Sequence, residues 1–237
     1  MKHYKSILQR IVALITFCDR CALESSVLDG EYHSVDERNE QRQRIYNWLV
    51  RHEYIDFLTK AEKRIFNTTI EDIPNQNIRL MYNQYEAVEP LLWSVGLVSR
   101  LTSFEKYVLK DFHPILMEIN EKFEDMIKEN NLKDLNEIVQ RRELTMLWHW
   151  RARVGQQKLD QNIDEIILSI FGDEMKKVIK KIKLSKEFPK DFIAFEKPYY
   201  QLSLKEIELL KNIVSWRHHA YEWITSDEEW DDVDTST

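Results

Sequence analysis

The sequence predicts an all-α fold, a single-domain bundle of about eight helices with short connections. Three observations lead to this prediction. Glycine and proline, the residues that turns use most, number only four and five among 237 residues. Helix-capping motifs stand directly before several apolar runs, and two runs repeat their apolar residues at helical spacing. Because long helices need few turns, these features favour helices over a sheet.

The helix starts are marked by the capping motif Ser/Thr-x-x-Glu, whose hydroxyl and carboxylate both accept hydrogen bonds from backbone amides of the first turn. The motif occurs at Ser34–Glu37, Thr59–Glu62, Thr102–Glu105 and Ser203–Glu206. Glycines follow three apolar runs and mark predicted helix ends, at Gly96, Gly155 and Gly172. The predicted helices cover residues 3–24, 35–57, 60–67, 77–96, 103–130, 133–154, 161–184 and 204–225, and residues 187–202 are predicted to form an ordered loop or brief extended segment.

Two runs place their members on one helix face by alternating steps of three and four residues. The first comprises Ile78, Met81, Tyr85, Val88, Leu92 and Val95. Pro90 lies inside it, and we expect a kink or broken turn there because proline cannot complete the helical hydrogen bonding. The second comprises Ile207, Leu210, Val214, Arg217, Tyr221 and Ile224, with one arginine in the stripe.

Composition bounds the class of protein. Hydrophobic residues make up 43% and charged residues 32%, the balance of a globular protein with a core. No linker rich in glycine, serine or proline divides the chain, so we expect one domain over residues 1–237.

The net charge of −7, concentrated in the acidic tail at residues 226–237, argues against DNA binding. No apolar run is long enough to span a membrane, and we expect a cytoplasmic protein that needs no cofactor.

Cys18 and Cys21 form the only Cys-x-x-Cys motif. A redox or metal site would need a strand–helix turn or further ligands, and neither is visible in the sequence. We therefore expect two reduced, half-buried thiols within the first helix.

Three segments together resemble an uncharacterised bacterial family, the domain-of-unknown-function family numbered 4272. Residues 85–97, with Glu86-Ala87 and Leu91-Leu92-Trp93, are similar to its Arg-x-Glu-Ala-x-x-x-Leu-Leu-Trp-Ala-Leu-Gly segment. Residues 216–224 resemble its Glu-Arg-His-x-Ala-Leu-Asn-Trp-Leu, and residues 230–237 its terminal Trp-Asp-Asp-Val-x-Thr-Asp-Thr. The resemblance covers about residues 35–237 and implies a helical fold without an established activity.

The chain departs from that family at two places. Met146-Leu147 stand where the family's middle segment has Tyr-Arg, and Ser236 replaces the penultimate Asp. A polar site built from those groups would be altered in this chain.

The sharpest enzymatic pattern is Arg142 followed seven residues later by His149. This spacing resembles the motif of the helical HEPN ribonucleases, and two helical turns place both residues on one face. His149 would then activate a 2′-hydroxyl while Arg142 stabilises the phosphorane. The alternative, favoured here, is an amphipathic helix that packs through its apolar residues. Dinucleotide, phosphate-loop, zincin and nucleophile-elbow motifs do not occur in the sequence.

A second candidate lies at the C-terminal helix. His218 and Glu222 are one turn apart and could share a metal ion with Asp231 or Asp232, or line a small-ligand site. The favoured interpretation is structural, without a metal: the acidic tail folds back and pairs with Arg217 or a nearby basic group, and Trp230 anchors it by packing.

Lysines surround the apolar residues of the stretch 175–186, among them Lys180 and Lys181. This pattern predicts a basic amphipathic helix that is either a solvated face or a contact for an acidic partner, RNA or a membrane surface. The leading functional hypothesis is a protein-binding or adaptor module, with defence or immunity as the suggested setting. Its partner and oligomeric state are left open by the sequence. A HEPN-like ribonuclease and a small-ligand or metal-binding domain are the alternatives.

Overall fold

The computed structural model describes residues 1–24 and 34–236, so residue 237 of the predicted tail lies outside the described residues. The fold is all-α, as predicted. Within the described residues the α-helices are α1 (Tyr4–Ala22), α2 (Val35–Arg51), α3 (Lys60–Asn67), α4 (Asn75–Tyr82), α5 (Val88–Ser94), α6 (His113–Glu129), α7 (Leu135–Val154), α8 (Ile163–Phe171), α9 (Lys176–Ile179) and α10 (Leu204–Thr225). Short 3₁₀ turns cover Ile55–Phe57, Asn83–Ala87, Asp173–Met175, Tyr199–Gln201 and Trp230–Asp232.

Two apolar clusters form the interior, and α7 and α10 contribute to both. The first surrounds α1 and includes α5, α6 and the C-terminal half of α10. The second includes most of α7, the helices α8 and α9, and the N-terminal half of α10. The predicted stripe on α10 is confirmed, since each of its members, Arg217 included, is buried. Helices α7 and α10 pack along each other and connect the two clusters.

Three of the four predicted capping boxes form, at the starts of α2, α3 and α10. At α10, the Glu206 N–H donates to Ser203 Oγ at 3.3 Å and the Ser203 N–H donates to Glu206 Oε2 at 2.7 Å. These reciprocal bonds satisfy backbone donors that the first helical turn leaves free.

The predicted helix over 77–96 is broken, as the proline suggested. Residues 83–87 form a 3₁₀ turn, and Pro90 lies in the first turn of α5. A proline is tolerated in a first turn because its missing N–H has no helical acceptor there. The predicted helix over 161–184 is also divided, by Gly172 with its φ of +90°. That backbone conformation is accessible to glycine and ends α8.

The predicted helix start at Thr102 is wrong, because α6 begins only at His113. The N–H and the Oγ1 of Thr102 both donate to the Glu89 carboxylate, at 2.7 and 2.9 Å. Glu105, the expected capping partner, accepts instead from the Phe195 N–H at 2.8 Å. Tertiary contacts have therefore replaced both halves of the capping box.

The ordered segment predicted at 187–202 is confirmed. It contains two short antiparallel strands, β1 (Ile193–Ala194) and β2 (Lys197–Pro198). Asp191 attaches this segment to α7, since Arg151 donates to both of its carboxylate oxygens at 2.8 and 2.7 Å. No helix among residues 1–24 and 34–236 has the length and apolar character to cross a membrane.

Cys18 and Cys21 are free thiols on α1, and both are fully buried rather than half-buried. Burial raises the pKa of Cys18 and raises that of Cys21 to about 12. A buried thiol with a raised pKa is a poor nucleophile, which agrees with the structural role expected from the sequence.

Candidate ligand-binding cleft

Arg217, a residue singled out from the sequence, is buried and fully hydrogen-bonded. Its Nε and Nη2 donate to Glu86 Oε2 at 3.0 and 2.7 Å. Its remaining donors reach the carbonyl oxygens of residues 102, 103 and 106. Burial raises the pKa of Glu86, although the Arg217 charge and the Val108 N–H oppose that rise. Arg217 therefore does not pair with the acidic tail; of the two partners expected for the tail, Arg217 or a nearby basic group, the structure excludes the first.

Residues 99–112 form an irregular segment that the buried charges hold in place. Glu86 accepts from the Val108 N–H at 2.7 Å, and Glu89 binds both Thr102 and the Lys110 amine. Glu89 is completely buried, and its carboxylate is satisfied by these donors. The segment is thereby anchored to α5 and α10 by side-chain contacts, without regular secondary structure of its own.

A cavity of about 370 Å³ lies between this segment, α7 and α10. We call it the Tyr221 cleft. Its wall combines polar and cationic residues with two aromatic rings, those of Phe104 and Tyr221, and with apolar groups. The lining residues are Pro90, Ser99, Arg100, Leu101, Thr102, Ser103, Phe104, Arg141, Thr145, Arg217 and Tyr221.

Two cationic side chains of this wall form no ion pair, and one hydroxyl forms no hydrogen bond, with any described residue. Arg100 and Arg141 are exposed, and neither forms an ion pair with any residue in the described ranges. The Tyr221 hydroxyl is buried and has no hydrogen-bond partner in the part of the chain that the structure describes. Burial raises the pKa of Tyr221, while the charges of Arg141 and Arg217 act to lower it. The hydroxyl is therefore protonated at neutral pH and can donate a hydrogen bond. The charges that act on it are those of Arg141 and Arg217.

The structure also brings Arg142, His149 and His218 together, in a polar chain between α7 and α10. His149 Nδ1 lies 3.0 Å from His218 Nδ1, and His218 Nε2 lies 3.1 Å from Glu222 Oε1. Arg142 continues the chain, with its Nε 3.7 Å from Glu222 Oε1. Burial and the neighbouring His218 lower the pKa of His149 to about 4. Burial acts to raise the pKa of Glu222, but the hydrogen bond from His218 and the Arg142 charge lower it.

This polar chain is occupied by its own members. His149 is only 5% exposed, and Arg142 is bound to Glu222 and to Thr225 Oγ1. Neither residue lines the Tyr221 cleft. A ribonuclease site would need space for a phosphodiester beside His149, so the geometry favours the structural interpretation of this pair. The ribonuclease hypothesis stays a prediction from the sequence.

The acidic tail is docked through Trp230, as predicted. The Trp230 ring is buried and packs against Trp223 and His219, and the Arg10 guanidinium lies 4.5 Å from its centroid. His219 Nε2 also lies 3.0 Å from the Trp230 carbonyl oxygen. Basic groups of the N-terminal segment therefore meet the tail: Arg10 approaches the Trp230 ring, Lys2 Nζ donates to the Glu228 carbonyl oxygen at 2.6 Å, and the N-terminal amine lies 3.8 Å from Asp227 Oδ1.

Asp231 and Asp232 are exposed, and they do not join His218 in a metal site. Across residues 1–24 and 34–236, no group of three or more His, Cys, Asp or Glu side chains is placed to hold a metal ion. The small-ligand hypothesis for this region has support that the metal hypothesis lacks, because α10 contributes Arg217 and Tyr221 to the wall of the cleft.

The lysine-rich stretch contains only one helical turn, α9, rather than the long amphipathic helix expected. Val178 and Ile182 are buried beneath it, while Lys180 and Lys181 are exposed. Lys181 Nζ donates to Gln140 Oε1 at 2.5 Å. The exposed lysines therefore lie over buried apolar residues, as the solvated-face interpretation expects, but on a backbone that is less regular than the predicted helix.

Arg100, Arg141 and the polar role of Tyr221 were not predicted from the sequence. Tyr221 appeared only as one member of an apolar stripe. The one signal in the sequence was Arg217, the single charged member of that stripe. A buried arginine requires acidic or carbonyl partners from other segments, so its position indicated a polar region beside α10. Arg141 carried no signal apart from its position beside Arg142.

One family model matches the chain, that of a domain of unknown function, DUF4272, over residues 1–169. No curated protein and no solved structure matches the chain. The matched part starts before residue 35, where the sequence resemblance began, and ends within α8, before the two C-terminal resembling segments. Because the match covers more than half of its 237 residues, the chain belongs to the DUF4272 family.

Proposed function

We propose that this protein binds a small anionic ligand in the Tyr221 cleft. The observation that carries the proposal is Tyr221, which lines the cavity and whose buried hydroxyl has no hydrogen-bond partner among the described residues. Buried polar groups in folded proteins are nearly always hydrogen-bonded, and an unsatisfied one calls for a specific explanation. An acceptor atom of a bound ligand supplies the missing partner.

The charge of the wall sets the class of ligand. Arg100 and Arg141 bring two unpaired guanidinium groups to the cleft, and the Arg217 charge is balanced by Glu86. A guanidinium group donates in a planar fork that matches the oxygens of a carboxylate or a phosphate. The volume of about 370 Å³ falls near the lower end of the range for small-molecule sites, about 300–1,000 Å³. A compact anion is the ligand that fits these features.

Calorimetric titration with inorganic phosphate at low ionic strength tests the proposal. We expect the wild type to bind phosphate and Arg141→Gln to bind it about tenfold more weakly, since a charge-assisted hydrogen bond is lost. Arg44→Gln is the matched control, because Arg44 is exposed on α2 and lines no part of the cleft. Equal losses in both variants, or a wild type that binds neither phosphate nor carboxylate probes such as acetate and succinate, would refute the proposal.

A protein-binding or adaptor role, with its suggested link to defence or immunity, remains a proposal drawn from the sequence. The feature in its favour is the exposed lysine surface that includes Lys180 and Lys181. The bacterial source and the cytoplasmic location remain predictions of the same kind.

A further inference from the structure

We infer that the ligand of the Tyr221 cleft carries two linked anionic groups, and that Arg141 binds between them. This inference rests on the proposed function. A second cavity, also of about 370 Å³, has Arg141 in its wall as well. We call it the Lys181 groove; its lining residues are Trp93, Glu137, Gln140, Arg141, Leu144 and Lys181.

Arg141 is the one residue that lines both the cleft and the groove. It extends from the middle of α7, and Glu137, Gln140 and Leu144 accompany it along the same helix. Residues three and four apart lie on one helix face, so one face of α7 lines the groove and brings Arg141 to it. One guanidinium group has five N–H donors, enough to bind an acceptor on either side.

The groove carries a positive charge of its own. Lys181 is exposed, and its amine donates to the neutral Gln140 amide, so its charge is not balanced by that contact. Lys133 lies nearby, with its Nζ 5.2 Å from the centroid of the Trp93 ring, and Arg141 lies 5.6 Å from the same centroid. Glu137 is the only carboxylate among the lining residues.

A single compact anion would use the cleft and leave the groove empty. A ligand with two linked anionic groups would place one beside Tyr221 and Arg100 and the other beside Lys181, with Arg141 shared. Phosphates and carboxylates both have this chemistry, because each offers several acceptor oxygens to a guanidinium fork.

Calorimetric titrations with two pairs of probes test the inference and distinguish the two chemistries. Inorganic phosphate is compared with diphosphate, and acetate with succinate, under equal ionic strength. We expect the two-anion member of at least one pair to bind about tenfold more tightly than its one-anion counterpart, because a second charge-assisted contact forms. The pair with the larger ratio identifies the chemistry of the ligand.

Lys181→Gln separates the groove from the cleft. This variant is expected to abolish most of the two-anion advantage while leaving the affinity for the one-anion probe unchanged. Lys180→Gln is the matched control, since it removes the same charge from the neighbouring exposed residue, which does not line the groove.

The outcomes keep the two proposals apart. If phosphate binds but neither two-anion probe binds more tightly, or if Lys180→Gln and Lys181→Gln act equally, the two-anion inference is overturned and the anion site stands. If no probe binds, the proposed function itself is overturned.

Discussion

Arg217 and Tyr221 lie one turn apart on the buried face of α10, yet the polar atoms of Arg217 are hydrogen-bonded and the hydroxyl of Tyr221 is not. The Arg217 guanidinium donates to Glu86 and to three carbonyl oxygens of the 99–112 segment. The Tyr221 hydroxyl, equally buried, has no partner. The first residue completes a closed network, and the second stands at the wall of an open cleft.

The difference separates a structural charge from a candidate binding group. A buried charge is tolerated only when paired and hydrogen-bonded, which Arg217 is. The polar chain from His149 to Arg142 is closed in the same way, because its members satisfy one another. The cleft, by contrast, has Arg100, Arg141 and Tyr221 in its wall, and their donors are available for a ligand.

The largest expected effect comes from opening the Arg217 network. Arg217→Met leaves Glu86 buried without its counter-charge and should lower the free energy of unfolding by about 3–5 kcal/mol. Urea denaturation followed by tryptophan fluorescence measures this loss. The double variant Glu86→Gln/Arg217→Met should recover part of it, because the uncompensated charge is removed.

The same substitution at a partly exposed position provides the control. The Arg142 side chain is 31% exposed and its carboxylate partner is 24% exposed. Arg142→Met is therefore expected to cost less than about 1 kcal/mol, as for other solvent-screened ion pairs. Similar losses in Arg142→Met and Arg217→Met would mean that the two networks do not differ as described.

Acid should destabilise the closed histidine chain. Burial lowers the pKa of His149 to about 4, whereas an unfolded histidine has a pKa near 6.5. Between these values the unfolded chain binds a proton that the folded protein does not, so the free energy of unfolding falls as the pH drops from 6.5 to 4. The loss amounts to about 2–3 kcal/mol for His149, complete near pH 4.

Comparison with His149→Gln isolates this contribution from that of the carboxylates. Denaturation curves recorded every half pH unit should show a flatter decline for the variant. His219, whose pKa burial also lowers to about 4, should add a similar contribution that the variant retains. Parallel curves for the wild type and His149→Gln would contradict the prediction.

Helix type and most helix starts could be predicted because capping and apolar spacing are local. Three capping boxes formed, and the α10 stripe is buried throughout. The start at Thr102 failed because its partner, Glu89, lies thirteen residues earlier in the chain. No local pattern could show that Glu89 would be buried and would compete for the Thr102 N–H.

The candidate site was harder to predict because adjacent residues on a helix point about 100° apart. Arg142 was chosen for its spacing to His149, and it faces the polar chain, whereas its neighbour Arg141 faces the cleft. The choice between two adjacent arginines depends on where α10 and the 99–112 segment pack. That packing is set by Glu86 and Glu89 together with Arg217, which lies 131 residues after Glu86 in the sequence.

The smallest effect on stability is expected from removing the Tyr221 hydroxyl. The same substitution, tested for phosphate binding, distinguishes a ligand-binding role of this residue from a packing role. Tyr199 supplies the matched comparison, since its hydroxyl is also buried without a partner but does not line the cleft. Tyr221→Phe and Tyr199→Phe keep the rings and remove unsatisfied hydroxyls, so each should change the free energy of unfolding by less than about 1 kcal/mol. Only Tyr221→Phe should weaken phosphate binding, because the other hydroxyl lies away from the anion. If Tyr221→Phe binds phosphate as the wild type does, the hydroxyl has no ligand, and Tyr221 belongs with Arg217 among the structural residues of α10.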